Sequence, residues 1–250
     1  MKDVQRLTLR LSMASCVILQ PWSDRKKKGG TSALHCPMII HLVDGTYELF
    51  RHFYCLRRSR KGTNPPLGAV RGVLSAVVRM LEGGGTHVGL ATDHDIESFR
   101  NQLWPGYKTS AGVERSLLAQ FQPLEEALAA MGVTVWPMVE LEADDALASA
   151  ACLAAADARV EKVCIWTPDK DLAQCVRDDR VVQVNSRTGT IRDAEAVRRK
   201  FGVEPGLIPD YLALVGDAAD GYPGIPGIGS ATAARLLNRY GGIEESPSTY

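Results

Sequence analysis

The chain has 250 residues, 45% of them hydrophobic, with 29 basic and 29 acidic side chains; it is long and apolar enough to bury a core, which argues against disorder. No apolar run approaches the roughly 18–20 residues of a membrane span, and the six cysteines form no C-x-x-C pair, so a membrane protein and a disulfide framework are both excluded as expectations. The zero net charge hides an asymmetry: residues 1–37 carry seven basic and two acidic side chains, and residues 38–250 carry 22 and 27.

Residues 1–37 lack sustained periodicity. "LSMASCVIL" is short and is followed by "DRKKK", the wrong flank for export, so a cytoplasmic protein is expected, associated with the nucleoid if bacterial. The segment reads as a disordered leader or a start placed too far upstream, with a basic DNA-contacting arm as the alternative. Met38 opens the first regular element. "MIIHLV" (38–43) is an apolar strand ending in Asp44, and "PLGAVRGVLSAVVRMLEGGG" spaces Val70, Val73, Leu74, Val77 and Leu81 as one helix face before a glycine stop. "THVGLAT" (86–92) is a second strand ending in Asp93, and residues 114–131 are expected to form one amphipathic helix. "VTVWPMV" is a third strand leading into "LEADDALASAA"; "KVCIWT" (162–167) is a fourth, ending at "PDKD"; "RVVQVN" (180–185) is a fifth. Near-continuous apolar strands alternating with helices imply an α/β fold, a parallel sheet covered on both faces. Beyond residue 193 the pattern is helical, with turn chemistry at "GYPGIPGIG". The expected organisation is a leader (1–37), an α/β domain (38–192), a helical region (193–243) and a polar tail (244–250).

The acids repeat a pattern. Asp44, Asp93, then Glu142, Asp144 and Asp145, then Asp169 and Asp171 all stand at or just beyond strand ends. In an open parallel sheet these ends line one crevice. Seven carboxylates gathered there raise each other's pKa values unless something positive is bound. No Cys/His cluster accompanies them, which disfavours zinc; an all-oxygen set suits Mg²⁺ or Mn²⁺. Two such ions, activating a water and stabilising a leaving oxygen, would account for so many acids. "LVDGT" is close to the D-x-D-G-T loop of haloacid-dehalogenase-type phosphatases, but the nucleophile position there is Leu42.

A second signal is "VGDAADGYPGIPGIGSATAARLLNRYGG" (215–242). Gly224, Gly227 and Gly229 punctuate a turn just before a small-residue helix opening at Ser230, the pattern of a helix–hairpin–helix that grips a phosphate through backbone N–H groups. Asp217 and Asp220, spaced i, i+3, would face the same way on a helix.

Together, "LVDGTYELFR", "TDHDIESFRNQLWPGYK", "EADDALASAA", "TPDKDLAQ" and "LVGDAADGYPGIPGIGSATAARLL" resemble the 5′ nuclease family, which includes the exonuclease domain of bacterial DNA polymerase I, phage 5′ exonucleases and flap endonucleases. The resemblance spans residues 38–243. It implies a PIN-like α/β domain with a helix–three-turn–helix clamp, two divalent metals, a K⁺ site at the hairpin, and 5′-end-directed cleavage of flapped, nicked or branched DNA by a monomer. It matches Asp44, Asp93, Glu142 and Asp144 to a first metal group, and Asp145, Asp169, Asp171, Asp217 and Asp220 to a second. Lys108 matches a lysine that approaches the scissile phosphate; Tyr107 is placed to stack on an unpaired base, and Arg51 and Arg100 match phosphate-contacting positions. An arginine usual three positions after that lysine is Ala111 here, and Arg115 is the candidate replacement if the segment is helical. Two rival functions remain at this level: a non-catalytic binder of DNA structures with an incomplete clamp, and an RNA-cleaving PIN-type nuclease.

Overall fold

A computed structural model describes residues 38–59 and 65–245; the leader and most of the polar tail lie outside the described residues. Strand β1 (Met38–Asp44) lies inside the sheet. It pairs in parallel with β2 (His87–Asp93) on one side and β4 (Val160–Trp166) on the other. With β3 (Thr134–Met138), β5 (Val181–Val184) and a short antiparallel β6 (Ile191–Arg192), the order is β3-β2-β1-β4-β5-β6. All five expected strands are present. β6 is an addition, two residues too short to leave a periodic signal.

Strand side chains alternate faces, and β1 uses both. Val43 packs with Leu49 and Phe53 of α1 (Gly45–Ser59), Val70, Val73 and Val77 of α2 (Gly68–Glu82), and Leu124 and Leu128 of α3 (Phe121–Ala130). Leu42 packs on the opposite face with Val163, Ile165 and the alanine-rich α4 (Ala143–Ala156). A third cluster joins α5 (Ala194–Phe201), α6 (Ile208–Val215) and α7 (Ser230–Tyr240) through Val197, Phe201, Ile208, Tyr211 and Leu237. Among the described residues no helix is long and apolar enough to cross a membrane.

One expected helix is broken. Residues 114–131 form a short turn at Arg115–Leu118 and then α3. Pro123 lacks an N–H and its ring would clash with the carbonyl four residues back, so the helix cannot run through residue 119. The break has a use: the Gln120 side-chain oxygen accepts from Ala69 N (3.2 Å) and Val70 N (3.4 Å), two first-turn amides of α2 that lack a side-chain cap.

Candidate metal centre

The centre starts from how closely α4 approaches the sheet. Ala143, Ala146, Ala151 and Ala154 are buried against β1 and β4. Side chains this small bring the helix backbone near the strands, so the N-terminal turn carrying Asp144 sits over their C-terminal ends. That is the point where strand order reverses, between β1 and β4, the usual ligand crevice of such sheets.

Asp44, at the end of β1, accepts from Tyr47 N (2.8 Å) and Thr167 Oγ1 (2.9 Å). Asp93, at the end of β2, accepts from Ala143 N (2.6 Å) and so ties β2 to the start of α4. Past β4, the turn through Asp169 and Asp171 is closed by Asp171 N donating to Asp169 Oδ1 (3.0 Å). Carboxylate oxygens of Asp144, Asp169 and Asp171 lie within 4.8 Å of one another, and so do those of Asp171, Asp217 and Asp220. Asp171 belongs to both groups. This departs from the expected split, in which Asp144 stood apart from Asp169 and Asp171. The reason is geometric: α4 projects Asp144 toward the turn after β4.

Asp217 and Asp220 reach the centre from a turn rather than a helix. The reciprocal bonds Asp217 N to Tyr222 O and Tyr222 N to Asp217 O, both 2.7 Å, pinch that turn shut. Gly216 and Gly224 pack backbone to backbone beneath it, each with positive φ, so neither position has room for a Cβ. Gly227 also has positive φ (85°), and Gly229 in extended conformation precedes α7, whose first residue Ser230 is exposed. The first-turn amides of α7 therefore open toward solvent.

The charge state follows from burial. Asp44 is pushed up to about 7, first by burial and then by Asp93 and Asp169. Asp171 is likewise pushed up to about 7 by burial and by Asp169, Asp220 and Asp217. Burial, then Asp44, Asp169 and Asp93, raises Asp144 well above the carboxylate range, and burial raises Asp93.

Other acids meet cations of the chain itself. Lys108 Nζ lies 3.2 Å from Glu142 and 3.1 Å from Asp220; burial works against its charge, but these two acids hold its pKa above the ordinary lysine value. Lys170 Nζ is 2.7 Å from Asp217. Arg100 donates to both oxygens of Asp145 at 2.8 Å. Although burial opposes it, this pair holds the Asp145 carboxyl below the usual range. Glu142 accepts from Ser98 Oγ (2.6 Å) and Tyr107 Oη (3.0 Å). Tyr107 is thus bound to the acid cluster in this conformation, and burial raises its phenol pKa.

Arg51 is an ion-pair partner of the buried Glu48, which also accepts from Ser186 Oγ. The shared-face argument for Arg115 fails: residues 104–114 contain no helix, interrupted by Pro105, Gly106 and Gly112, and Arg115 is exposed. Sequence reasoning missed Lys170, Ser98 and Thr167. A signal existed for Lys170, a lone cation between two acids in "DKD"; Ser98 and Thr167 carry none, because only the fold brings them to Glu142 and Asp44.

Divalent cations fit these residues. The donors are all oxygen, burial and then mutual repulsion raise Asp44, Asp144 and Asp171, and the buried Asp171 Oδ1 has no hydrogen-bond partner. A buried acceptor left unmatched is costly unless something positive binds it.

The 5′-3′ exonuclease N-terminal resolvase-like domain matches residues 39–202, and the 5′-3′ exonuclease C-terminal SAM fold matches residues 203–249. The chain is 38% identical over 203 residues to DNA polymerase I of Pseudomonas aeruginosa, covering 80% of this chain but 22% of that protein. It is 31% identical over 211 residues to a 5′-3′ exonuclease of Buchnera aphidicola subsp. Schizaphis graminum, covering 83% of this chain and 72% of that one. In fold it is similar to the bacteriophage T5 flap endonuclease solved with DNA and metal ions (TM-score 0.67, 19% identity, 85% of this chain and 81% of the other). Flap endonuclease 1 from Methanococcus jannaschii is more distant (TM-score 0.51, 16% identity, 81% and 71%). The chain belongs to the 5′-3′ exonuclease family.

Proposed function

We propose that this chain is a divalent-metal-dependent 5′–3′ exonuclease and flap endonuclease that hydrolyses phosphodiesters of flapped, nicked or branched DNA, serving primer removal or repair. The observation that carries the proposal is the convergence of two carboxylate groups sharing Asp171. Asp144, Asp169 and Asp171 would hold one cation and Asp171, Asp217 and Asp220 a second. Asp44, Asp93 and Glu142 would complete the surroundings, directly or through water, and Asp145 would orient Arg100. When bound, a pair of Mg²⁺ or Mn²⁺ ions supplies charge neutralisation for in-line displacement at phosphorus and acidifies the attacking water.

The chain's own side chains do the positioning. Lys108 exchanges Glu142 and Asp220 for the scissile phosphate, where its fixed charge offsets the negative charge developing on the phosphate oxygens. Tyr107, once released from Glu142, offers its ring to an unpaired base. Arg100 and Arg51 contact neighbouring phosphates. The exposed start of α7, with Gly224, Gly227, Gly229 and Ser230, holds a duplex phosphate through backbone amides without reading sequence, and K⁺ is the ion we assign to that hairpin. A monomer acting in the cytoplasm suffices for this scheme.

The test is a 5′-labelled flap duplex incubated with the chain in Mg²⁺, in Mn²⁺ and in chelator. Cleavage near the junction that vanishes with chelator is expected. Cleavage that persists without metal, or none under any divalent ion, would overturn the proposal.

A further inference from the structure

Cations buried or half-buried in the described residues usually have a use in the fold. Arg51, Arg100, Lys108 and Lys170 face carboxylates. Arg180 donates to the carbonyls of Ala155 (3.1 Å) and Asp157 (2.9 Å) at the end of α4. Arg192 differs. It sits half-buried at the end of β6, donates from Nη1 to Gln183 Oε1 (2.8 Å), and has no acid at ion-pair distance among the described residues. Burial alone pulls its pKa below the ordinary guanidinium value. Lys200, on α5, is exposed, and it too has no acid at ion-pair distance among the described residues. Its ammonium lies 4.8 Å from the centre of the Phe201 ring, and burial followed by repulsion from Arg192 and Lys170 lowers its pKa, with Asp169 in partial opposition. Neighbouring cations that repel each other are stabilised by an anion, just as the acid cluster is stabilised by metal.

Arg192 also lines a cleft of about 160 Å³ with Thr167, Gln183, Asn185, Thr188 and Thr190, and no carboxylate lines it. Its polar groups are arranged as donors. Asn185 Oδ1 already accepts from Arg187 N (3.0 Å) and Thr188 N (3.2 Å), which leaves its amide nitrogen to donate. Thr188 Oγ1 donates to Thr190 Oγ1 (2.9 Å), which leaves the Thr190 hydroxyl proton free. Gln183, 1% exposed, forms a rigid floor and donates to the Asp169 carbonyl (2.6 Å). Thr167 belongs to both this cleft and the metal centre, since its hydroxyl is bonded to Asp44. Cleft and acid cluster therefore lie on two sides of one short segment, residues 167–169.

We infer that this cleft is a phosphate subsite: Arg192, Asn185 and Thr190, aided by the nearby charge of Lys200, hold a backbone phosphate of the nucleic-acid strand that passes the acid cluster. The inference rests on the proposed nuclease function and adds a contact that the function does not itself require. A tetrahedral oxyanion matches a lining of one guanidinium, hydroxyls and an amide. A base does not, because the lining contains no aromatic ring on which it could stack.

The test measures binding of a flap duplex in Ca²⁺ across a salt series, using the unaltered chain, Arg192→Gln, Arg192→Lys and Lys200→Gln, with thermal melting to confirm folding. The slope of log affinity against log salt is expected to fall by about 0.9 in Arg192→Gln, one phosphate contact, and to be kept in Arg192→Lys. A smaller fall is expected in Lys200→Gln, which decides the matter if Arg192→Gln does not fold. An unchanged slope in the folded variant overturns the inference while leaving the nuclease function intact. Orthophosphate is the second probe, followed by ³¹P line broadening: broadening lost in Arg192→Gln together with an unchanged DNA slope would assign the cleft to free phosphate and overturn the backbone assignment. If the unaltered chain neither binds nor cleaves the duplex, the nuclease function fails and this subsite fails with it.

Discussion

Within the acid cluster, Glu142, Asp145, Asp217 and Asp220 face cations of the chain's own, whereas Asp44, Asp144 and Asp171 are pressed mainly against other carboxylates. In the first set, Arg100 holds the Asp145 carboxyl below the usual range. In the second, burial and then repulsion favour the protonated forms until a metal compensates. The difference separates acids that tie the metal centre to Arg100, Lys108 and Lys170 from acids whose charge depends on the metal.

Substituting the most strained member should have the largest effect. Asp144→Asn is expected to lower single-turnover cleavage by about 10³-fold or more while leaving Ca²⁺-supported DNA binding in place. A loss smaller than about tenfold would place Asp144 outside the metal-dependent set. Lys108→Met should come next, with a loss of about 10²-fold and a lower melting temperature in chelator, because Glu142 and Asp220 lose their counter-ion. A variant melting as the unaltered chain does would break the link between Lys108 and the self-compensated set.

The third prediction concerns pH. Asp44 and Asp171 have folded pKa values of about 7, above the roughly 3.9 of an unfolded Asp. Their contribution is therefore fully present below the unfolded value and lost as pH rises through 7. Between pH 6 and 8 the metal-free chain should lose about 2–3 kcal/mol, about 4–12 °C in melting temperature, and saturating Mg²⁺ should remove that fall. A metal-free melting temperature that rises over the same range would contradict the assignment. Asp145→Asn is the fourth: its depressed pKa reflects Arg100, so the variant should cost about 1 kcal/mol and barely change Mg²⁺ affinity. A tenfold weaker Mg²⁺ response, read by calorimetry, would move Asp145 into the metal-dependent set. Arg115→Ala should do least, with cleavage within about twofold, since exposed substitutions away from a site are near neutral.

The sheet was legible because its strands are short apolar runs, four of them with acids at or just beyond their ends, and those acids led to the crevice. Two kinds of feature were not legible. Glu142, Asp145, Lys108 and Arg100 all stood out in the sequence, yet their mutual pairing did not, because it joins residues 34 to 45 positions apart through the fold. Nor did periodicity show that 114–131 breaks, since the apolar spacing continues across Ala119 while the backbone bends to cap α2 through Gln120. Asp217 and Asp220 were assigned together for a spacing that suggested a helix. They do converge, but through a pinched turn, a local geometry other than the helix their spacing suggested.

The stretch from Asp217 to Ser230 carries, under the proposed assignments, both a pair of metal ligands and the amides that hold the duplex, with the Gly216–Gly224 contact fixing the turn between them. One short loop then works as a measuring rod, setting how far along the strand the cut falls from the point of grip. Replacing Gly224 with a bulkier residue should scatter the product lengths, and a ladder of neighbouring cuts would be the mark of a rod whose two ends had come out of registration.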